Sequence, residues 1–250
     1  MSAEPQVIWH DLECGAYRQD LRLWTRLARD SGDPILDVGA GTGRVSLELA
    51  RRGHRVVALD HDPVLLAALR ERAQEGLAAG GGGSVSTVCA DARDFRAPGG
   101  PFALCAVPMQ TIQLLGGRPG RARLLACVLE HLAPGGVLAI SIAPEFDEFG
   151  GEEVDALPLP DMVEIDGCVY ASQPTAVRRQ DEQVILERRR EVVSPSGDRR
   201  VSDDLIALDL LGPGDLLAEA SAAGLRPVAS HTVPETDEHV GSLVVIFRAP

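Results

Sequence analysis

The sequence predicts an α/β protein: a doubly wound sheet of seven strands carrying a small inserted antiparallel sheet. Short apolar runs alternate with amphipathic stretches from Asp33 to Ile142, the pattern of parallel strands joined by helices. A turn with three glycines, Gly39, Gly41 and Gly43, follows the first of those runs. After Pro144 the pattern changes to alternating segments rich in β-branched residues, separated by short polar breaks.

Residues 7–29 place Leu12, Tyr17, Leu21, Trp24 and Leu27 at helical spacing, which predicts one N-terminal helix ended by Asp33-Pro34. Ile35–Val38 reads as a short buried strand, 39–43 as the turn and 44–52 as a helix. Arg55–Asp60 is the second strand. Asp62 is placed to cap the next helix with Pro63 at its first position, and Leu65, Leu66, Leu69 and Ala73 form its apolar stripe. The glycines at 80–83 read as a loop. Residues 85–89 are a third strand with Asp91 just beyond it, and Phe102–Val107 is a fourth. Residues 121–132 read as a helix stopped by Ala133-Pro134-Gly135-Gly136, and 137–142 as the fifth strand. Segments 162–172, 175–180, Gln183–Val193 and 199–210 form the inserted sheet, with a turn at 194–198. Gly212-Pro213 opens a last helix ended by Gly224, and 228–233 and Ser242–Arg248 close as a hairpin. The expected organisation is an N-terminal helical cap (1–32), a cofactor-binding core (33–143), an inserted β subdomain (144–211) serving as lid or dimerisation surface, and a C-terminal part (212–250) completing the core.

With 250 residues, 45% of them apolar, the chain can bury a sizeable core. The net charge is −13, and every basic residue other than histidine is an arginine. That balance disfavours a nucleic-acid partner, because phosphate contacts need a surplus of cations. No apolar run approaches the roughly 18 residues of a membrane span. The N-terminal MSAEPQVIWHDLEC lacks a basic-then-apolar leader pattern, so no membrane partner and a cytoplasmic location are expected. Cys14, Cys89, Cys105, Cys127 and Cys168 are odd in number and lack metal-site spacing; they read as small hydrophobes, with no metal expected. The run ERRRE at 187–191 reads as a solvated strand surface.

In doubly wound sheets, ligands bind beyond the carboxyl ends of the strands, where the winding direction switches. The glycines sit there. They let the backbone turn sharply and let a ligand approach without meeting a Cβ, and the following helix presents N–H groups. Nicotinamide enzymes use G-x-G-x-x-G at the same place. Here the order is G-A-G-T-G-R, so the third glycine comes one residue early, and Asp37 precedes the turn. A carboxylate repels a pyrophosphate and attracts an ammonium group. Asp60, at the end of the second strand, can accept both hydroxyls of a ribose, which either kind of cofactor carries. Asp91 can accept the exocyclic amine of an adenine while the Ala92 N–H donates to a ring nitrogen.

ILDVGAGTGRVSLELA, VVALDHDP, CADARDF and HLAPGGVLAISI, in that order and spacing, resemble the successive motifs of class I S-adenosylmethionine-dependent methyltransferases. The resemblance covers residues 33–142 and extends more loosely to the C-terminus. DLECGAY and VPMQTIQLL resemble segments of a bacterial small-molecule subgroup, although Met109, Gln110 and Thr111 depart from its aromatic, arginine and serine. The resemblance implies a Rossmann-like seven-stranded sheet, S-adenosyl-L-methionine as cofactor and S-adenosyl-L-homocysteine as product. It implies that Asp37 and the turn Gly39, Ala40, Gly41 and Gly43 hold the methionine part. Asp60 would hold the ribose, His61 would lie beside the adenine, and Asp91 and Ala92 would read its edge. Val107 and Pro108 would line the cofactor near the sulfonium. Tyr17 would close over it from the N-terminal helix, or serve as a core aromatic.

Methyl transfer is an in-line displacement in which positioning supplies much of the rate, so the resemblance implies no obligatory catalytic residue. Where a base is needed, His10, His231, His239, Tyr17 and Glu145 are candidates. Gln110 and Gln113 could hydrogen-bond a substrate. Gln113, Glu145 and His231 are the catalytic candidates carried forward. The end of the fourth strand, Val107-Pro108-Met109-Gln110, lacks the Asn/Asp-Pro-Pro-aromatic pattern of adenine N-methyltransferases and the Pro-Cys of cytosine C5 enzymes. The scattered cysteines do not suit arsenite. The expected reaction is methylation of a nitrogen or oxygen of a small-molecule metabolite. Methylation of RNA or protein, or cofactor binding without transfer, are the alternatives. The edges of the inserted sheet could pair two subunits as a homodimer.

Overall fold

The computed structural model describes residues 4–77, 82–150, 157–236 and 240–250. The chain divides into two compact units, one of Met1–Ala16 with Glu145–Leu210, the other of Tyr17–Pro144 with Leu211–Pro250.

The larger unit contains a seven-stranded sheet. In chain order its elements are α2 (Leu21–Ser31), β1 (Ile35–Val38), α3 (Arg44–Arg51), β2 (Arg55–Asp60), α4 (Pro63–Leu77), β3 (Ser84–Cys89), β4 (Phe102–Val107), α5 (Gly117–His131), β5 (Leu132–Ile142), α6 (Pro213–Ala222), β10 (Arg226–Val233) and β11 (Ser242–Arg248). The strand order is β10-β11-β5-β4-β1-β2-β3. β1 to β5 run parallel, β11 pairs antiparallel with β5, and β10 pairs antiparallel with β11. From β1 the chain winds through β2 to β3, then crosses to β4 and β5, so the switch in direction lies between β1 and β4. β1 and β4 are buried along almost their whole length, as expected for strands covered on both faces. Val57, Phe102, Leu138 and Phe247 pack with Leu124 and Val128 of α5 and Leu216 of α6. Ile35, Leu104 and Ala139 pack with Trp24 and Leu27 of α2 and Leu49 of α3. Asp62 caps α4 as its position predicts, accepting the Val64 N–H at 2.8 Å. Arg121 of α5 and Glu219 of α6 form a buried two-armed ion pair at 2.8 and 2.7 Å.

In the smaller unit, β6 (Asp161–Ile165), β7 (Cys168–Gln180), β8 (Gln183–Val193) and β9 (Arg199–Asp209) form an antiparallel sheet in that order. It also holds α1 (Pro5–His10) and a π-helical turn, Asp11–Gly15. Glu13 in that turn accepts both arms of Arg190 on β8 at 2.8 and 2.7 Å, and the Ser172 hydroxyl at 2.7 Å. Arg190 lies over the Trp9 ring, and Trp9 meets Tyr170 edge-on.

Several expectations change. The single helix over 7–29 is two, with the π-helical turn and residues 16–20 between them. The cause is tertiary: Glu13 is held by Arg190, while Asp20 is buried beneath the start of α2 and bonded to Trp24. Leu12 and Tyr17 accordingly fall in different units. The strand expected over 162–172 is a hairpin. Asp166 and Gly167 both adopt left-handed conformations, φ 51° and 75°, as a two-residue hairpin turn requires. The break expected near 173–174 is only a bulge in β7. α5 begins at Gly117 and β5 at Leu132, earlier than the sequence suggests. In the ERRRE run, Arg189 faces solvent while Arg188 and Arg190 are largely covered. Cys89, grouped with the buried thiols, is exposed at the end of edge strand β3. Gly80 and Gly81 of the expected glycine loop lie outside the described residues. Among the described residues no helix is long and apolar enough to cross a membrane.

Candidate cofactor site

Three acids converge on one end of the larger sheet because of strand register. Asp37 on β1 pairs with Ala58 of β2 and Ala106 of β4. Asp60 ends β2 opposite Cys89 of β3, and Asp91 lies two residues beyond. Adjacent strands are roughly 4.8 Å apart, and each acid lies two residues further along than the one before, so they form a staggered row toward the strand ends.

The glycine turn is packed as tightly as it is bent. Gly39 has φ 75°, and a Cβ there would stand 2.6 Å from the Thr111 side chain in the loop after β4. Gly43 has φ 95°, and a Cβ there would stand 2.1 Å from Leu69 of α4. Four of the turn's N–H groups are engaged. The Gly39 and Ala40 N–H groups both donate to the Leu59 carbonyl, at 2.8 and 3.0 Å, and the Gly43 N–H donates to the Ala40 carbonyl at 2.9 Å. The Gly41 N–H donates to Asp60 Oδ2 at 2.8 Å. A dinucleotide turn offers such groups to a pyrophosphate. This one spends three of the four on strand β2.

Asp60 is buried, and its Oδ1 accepts the Asp62 N–H at 3.0 Å. His61 is exposed, its Nδ1 3.4 Å from Asp60. Asp37 is fully buried. Ser46 of α3 donates to its Oδ2 at 2.6 Å, while Oδ1 has no hydrogen-bond partner. Burial pushes its pKa up from 3.8 to about 6, against the opposing pull of Ser46 and Arg44. Asp91 is the opposite case. Arg93 donates to it from Nε, from Nη2 at 2.7 Å and from its backbone N–H at 2.8 Å. These bonds bring its pKa down to about 2.

Residues 35–136 match the family model described as a methyltransferase domain. The matched segment, a methyltransferase domain by that description, holds the glycine turn and all three acids. Over 119 residues it is 35% identical to a probable cobalt-precorrin-6B C(15)-methyltransferase (decarboxylating) of Methanothermobacter thermautotrophicus, covering 46% of this chain and 56% of that one. The chain spans about half the length of the curated relatives it matches. Two solved structures share the fold. The sugar N-methyltransferase KedS8 of a Streptoalloteichus species has a TM-score of 0.73 at 21% identity, over 100% of this chain and 94% of that one. The amino pentose methyltransferase CalS10 of Micromonospora echinaspora has 0.70 at 24%, over 100% and 99%.

In the methyltransferase domain, Asp37 offers what a zwitterionic amino-acid tail needs: a carboxylate with one unmet acceptor. The spent N–H groups of the turn do not suit a phosphate-bearing cofactor. Val107 and Pro108 are buried at the end of β4, and Met109 follows with φ 53°, a strained conformation for a side chain of its size. The Pro108 carbonyl accepts the Thr111 hydroxyl at 2.8 Å, which fixes this loop against Gly39. Tyr17 is buried beside the turn. Arg44, the first residue of α3, donates to the Tyr17 carbonyl, lies 5.2 Å from its ring centre and pairs with Asp20 through both arms. Ala92 is partly exposed beside Asp91.

The catalytic candidates fall on separate elements. Gln113 is fully buried: its amide donates to the Ala143 carbonyl at 3.1 Å and accepts the Ala143 N–H at 2.8 Å. It clamps the loop after β4 to the end of β5 and presents neither group to a substrate. His231 lies on edge strand β10, with β11 and β5 between it and β4, and approaches Arg26 at 3.3 Å. Glu145 is exposed and opens the smaller unit's second segment. His10 ends α1 in the smaller unit, and His239 lies outside the described residues.

Arg93, Arg44, Ser46, Met109 and Thr111 were not anticipated. Only Arg93 left a local signal, a cation two residues beyond an acid in a turn. The others act through residues distant in the chain or through backbone geometry.

Proposed function

We propose that the protein transfers a methyl group from S-adenosylmethionine to a nitrogen or oxygen of a small-molecule metabolite. The observation that carries this reading is Asp37, a buried carboxylate with an unmet acceptor beside a glycine turn whose Gly39, Ala40, Gly41 and Gly43 N–H groups are already engaged within the fold. Asp37 would hold the cofactor's ammonium group, and Asp60 its ribose hydroxyls. Asp91 and Ala92 would read the adenine edge, with His61 beside it, and Val107 and Pro108 would wall the reacting end. The cofactor supplies an electrophilic methyl carbon: a bond from the substrate's nitrogen or oxygen forms as the carbon–sulfur bond breaks, its electron pair staying on sulfur.

The chain's contribution is alignment, which can be worth roughly 7–11 kcal/mol. The proton lost by the nucleophile passes to water or to a base. The buried Gln113 is not that base. The net charge of −13 supports a small substrate over a nucleic acid. The named activities of the amino pentose and sugar N-methyltransferases, similar in fold, support an amine among the acceptors. The inserted sheet is read as lid or pairing surface, and the exposed Met162, Val201 and Leu205 support pairing of two chains.

Calorimetry on the full chain tests the reading. S-adenosylhomocysteine is expected to bind at micromolar concentration, and Asp37→Asn to weaken it roughly 10- to 100-fold, the range for a lost bond to a charged group. Absence of binding at millimolar ligand would refute it. Mass spectrometry of reactions with amines, hydroxyl compounds and carboxylic acids would then locate the acceptor.

A further inference from the structure

Beyond β3 the chain makes a tight turn in which the Asp94 N–H donates to the Asp91 carbonyl at 2.9 Å. The turn folds the Arg93 side chain back onto the carboxylate two residues before it. Nε reaches Asp91 Oδ1 at 2.9 Å and Oδ2 at 3.1 Å, and Nη2 reaches Oδ2 at 2.7 Å. The Arg93 backbone N–H takes a second position on Oδ1 at 2.8 Å. Its remaining arm, Nη1, approaches the Leu115 carbonyl at 3.4 Å, which ties the turn to the loop preceding α5.

A carboxylate has about four lone-pair positions. Three hydrogens reach that of Asp91: the backbone N–H and the Nε–H on Oδ1, the latter shared at a longer 3.1 Å with Oδ2, and one Nη2 hydrogen on Oδ2. One acceptor position is left, on Oδ2. The carboxyl plane is also set, because a planar guanidinium bonded to both oxygens resists its rotation.

We propose that Arg93 is a specificity-determining positioning residue: by occupying three acceptor positions of Asp91 and fixing its plane, it leaves one acceptor for one N–H donor, a 6-amino purine and not a 6-oxo purine. The inference rests on the cofactor reading above. A 6-oxo purine places a carbonyl where the amine would be, and its N–H sits one ring position away. A carboxyl free to turn could follow that N–H, or could pick up a proton and donate to the carbonyl. Arg93 opposes both, since the ion pair holds Asp91 ionised far below neutrality. Arg93 itself acts through Asp91 and need not touch the ligand.

The test compares S-adenosylhomocysteine with S-inosylhomocysteine, identical except at purine position 6, by calorimetry on the full chain. The wild-type protein is expected to prefer the adenosyl compound at least tenfold. Arg93→Ala is expected to reduce that ratio to about threefold or less, and Arg93→Lys, which keeps the charge but loses the fork, to give an intermediate ratio. A structural role alone would weaken both ligands equally. An unchanged ratio in Arg93→Ala would therefore overturn the proposal. So would a wild-type protein that binds both ligands equally. A wild-type protein that binds neither would overturn the cofactor reading and this inference with it. Thermal melting of each variant verifies folding, which the loss of a partly exposed pair should spare.

Discussion

Asp37 and Asp91 stand two strands apart at the same end of one sheet, and their protons are held in opposite ways. Asp37 is sealed from water with the Ser46 hydroxyl donating to it, and its pKa rises to about 6. Asp91 is half exposed and gripped by Arg93, and its pKa falls to about 2. Asp20 sharpens the contrast. It is buried almost as completely as Asp37, yet it has both arms of Arg44 and the indole N–H of Trp24. Burial is common to both acids; what differs is that the fold brings a cation into contact with Asp20 and not with Asp37. Asp37, near Arg44 but not bonded to it, is the acid left waiting for one.

The largest expected effect tests the compensated acid. Arg44→Met should leave Asp20 charged, buried and short of donors, costing about 3–5 kcal/mol in urea unfolding at pH 7. A loss below about 1 kcal/mol would mean that Asp20 is not held as described. Next comes the uncompensated acid. Because the folded-state pKa of Asp37 lies above the ordinary aspartate value of 3.8, the folded chain binds the extra proton between the two values. Stability of the ligand-free protein should therefore fall by about 3 kcal/mol as pH rises from about 4 to about 6, then level off. Asp37→Asn should remove that fall from urea titrations across pH 4–8, and a saturating ligand with an ammonium group should offset it in the wild type. The smallest effect belongs to the exposed pair. Arg93→Ala should leave stability almost unchanged, as the loss of an exposed pair does, while carboxyl carbon resonances should show Asp91 titrating nearer to an ordinary aspartate, about 3.9. An Asp91 titration that stays near 2 would assign its low value to the backbone N–H instead of the guanidinium.

The parts readable from sequence are those whose cause is local. The alternation of strand and helix, the Asp62 cap and the acids at the strand ends follow from residues near one another in the chain. The π-helical turn does not, because it depends on Glu13 meeting Arg190 far downstream. Gln113 resembled a polar group available to substrate. Only the fold reveals that the Ala143 backbone takes its amide. The hairpin at Asp166-Gly167 has a local signal in its Asp-Gly pair, masked by the apolar alternation that runs straight through it. The unmet acceptor on Asp37 is a property of packing, and no motif announces an absence of partners.

The bond from Gly39 and Ala40 to Leu59 bears on how such a turn could be retargeted. Respacing the glycines toward a dinucleotide pattern would leave these donors facing the same carbonyl, with Asp60 still drawing on Gly41. A designer wishing to swap cofactors would first have to pull the end of β2 away from the turn. In that sense the choice of cofactor is stored in a neighbouring strand, and substitutions confined to the glycine motif should yield an empty site sooner than a converted one.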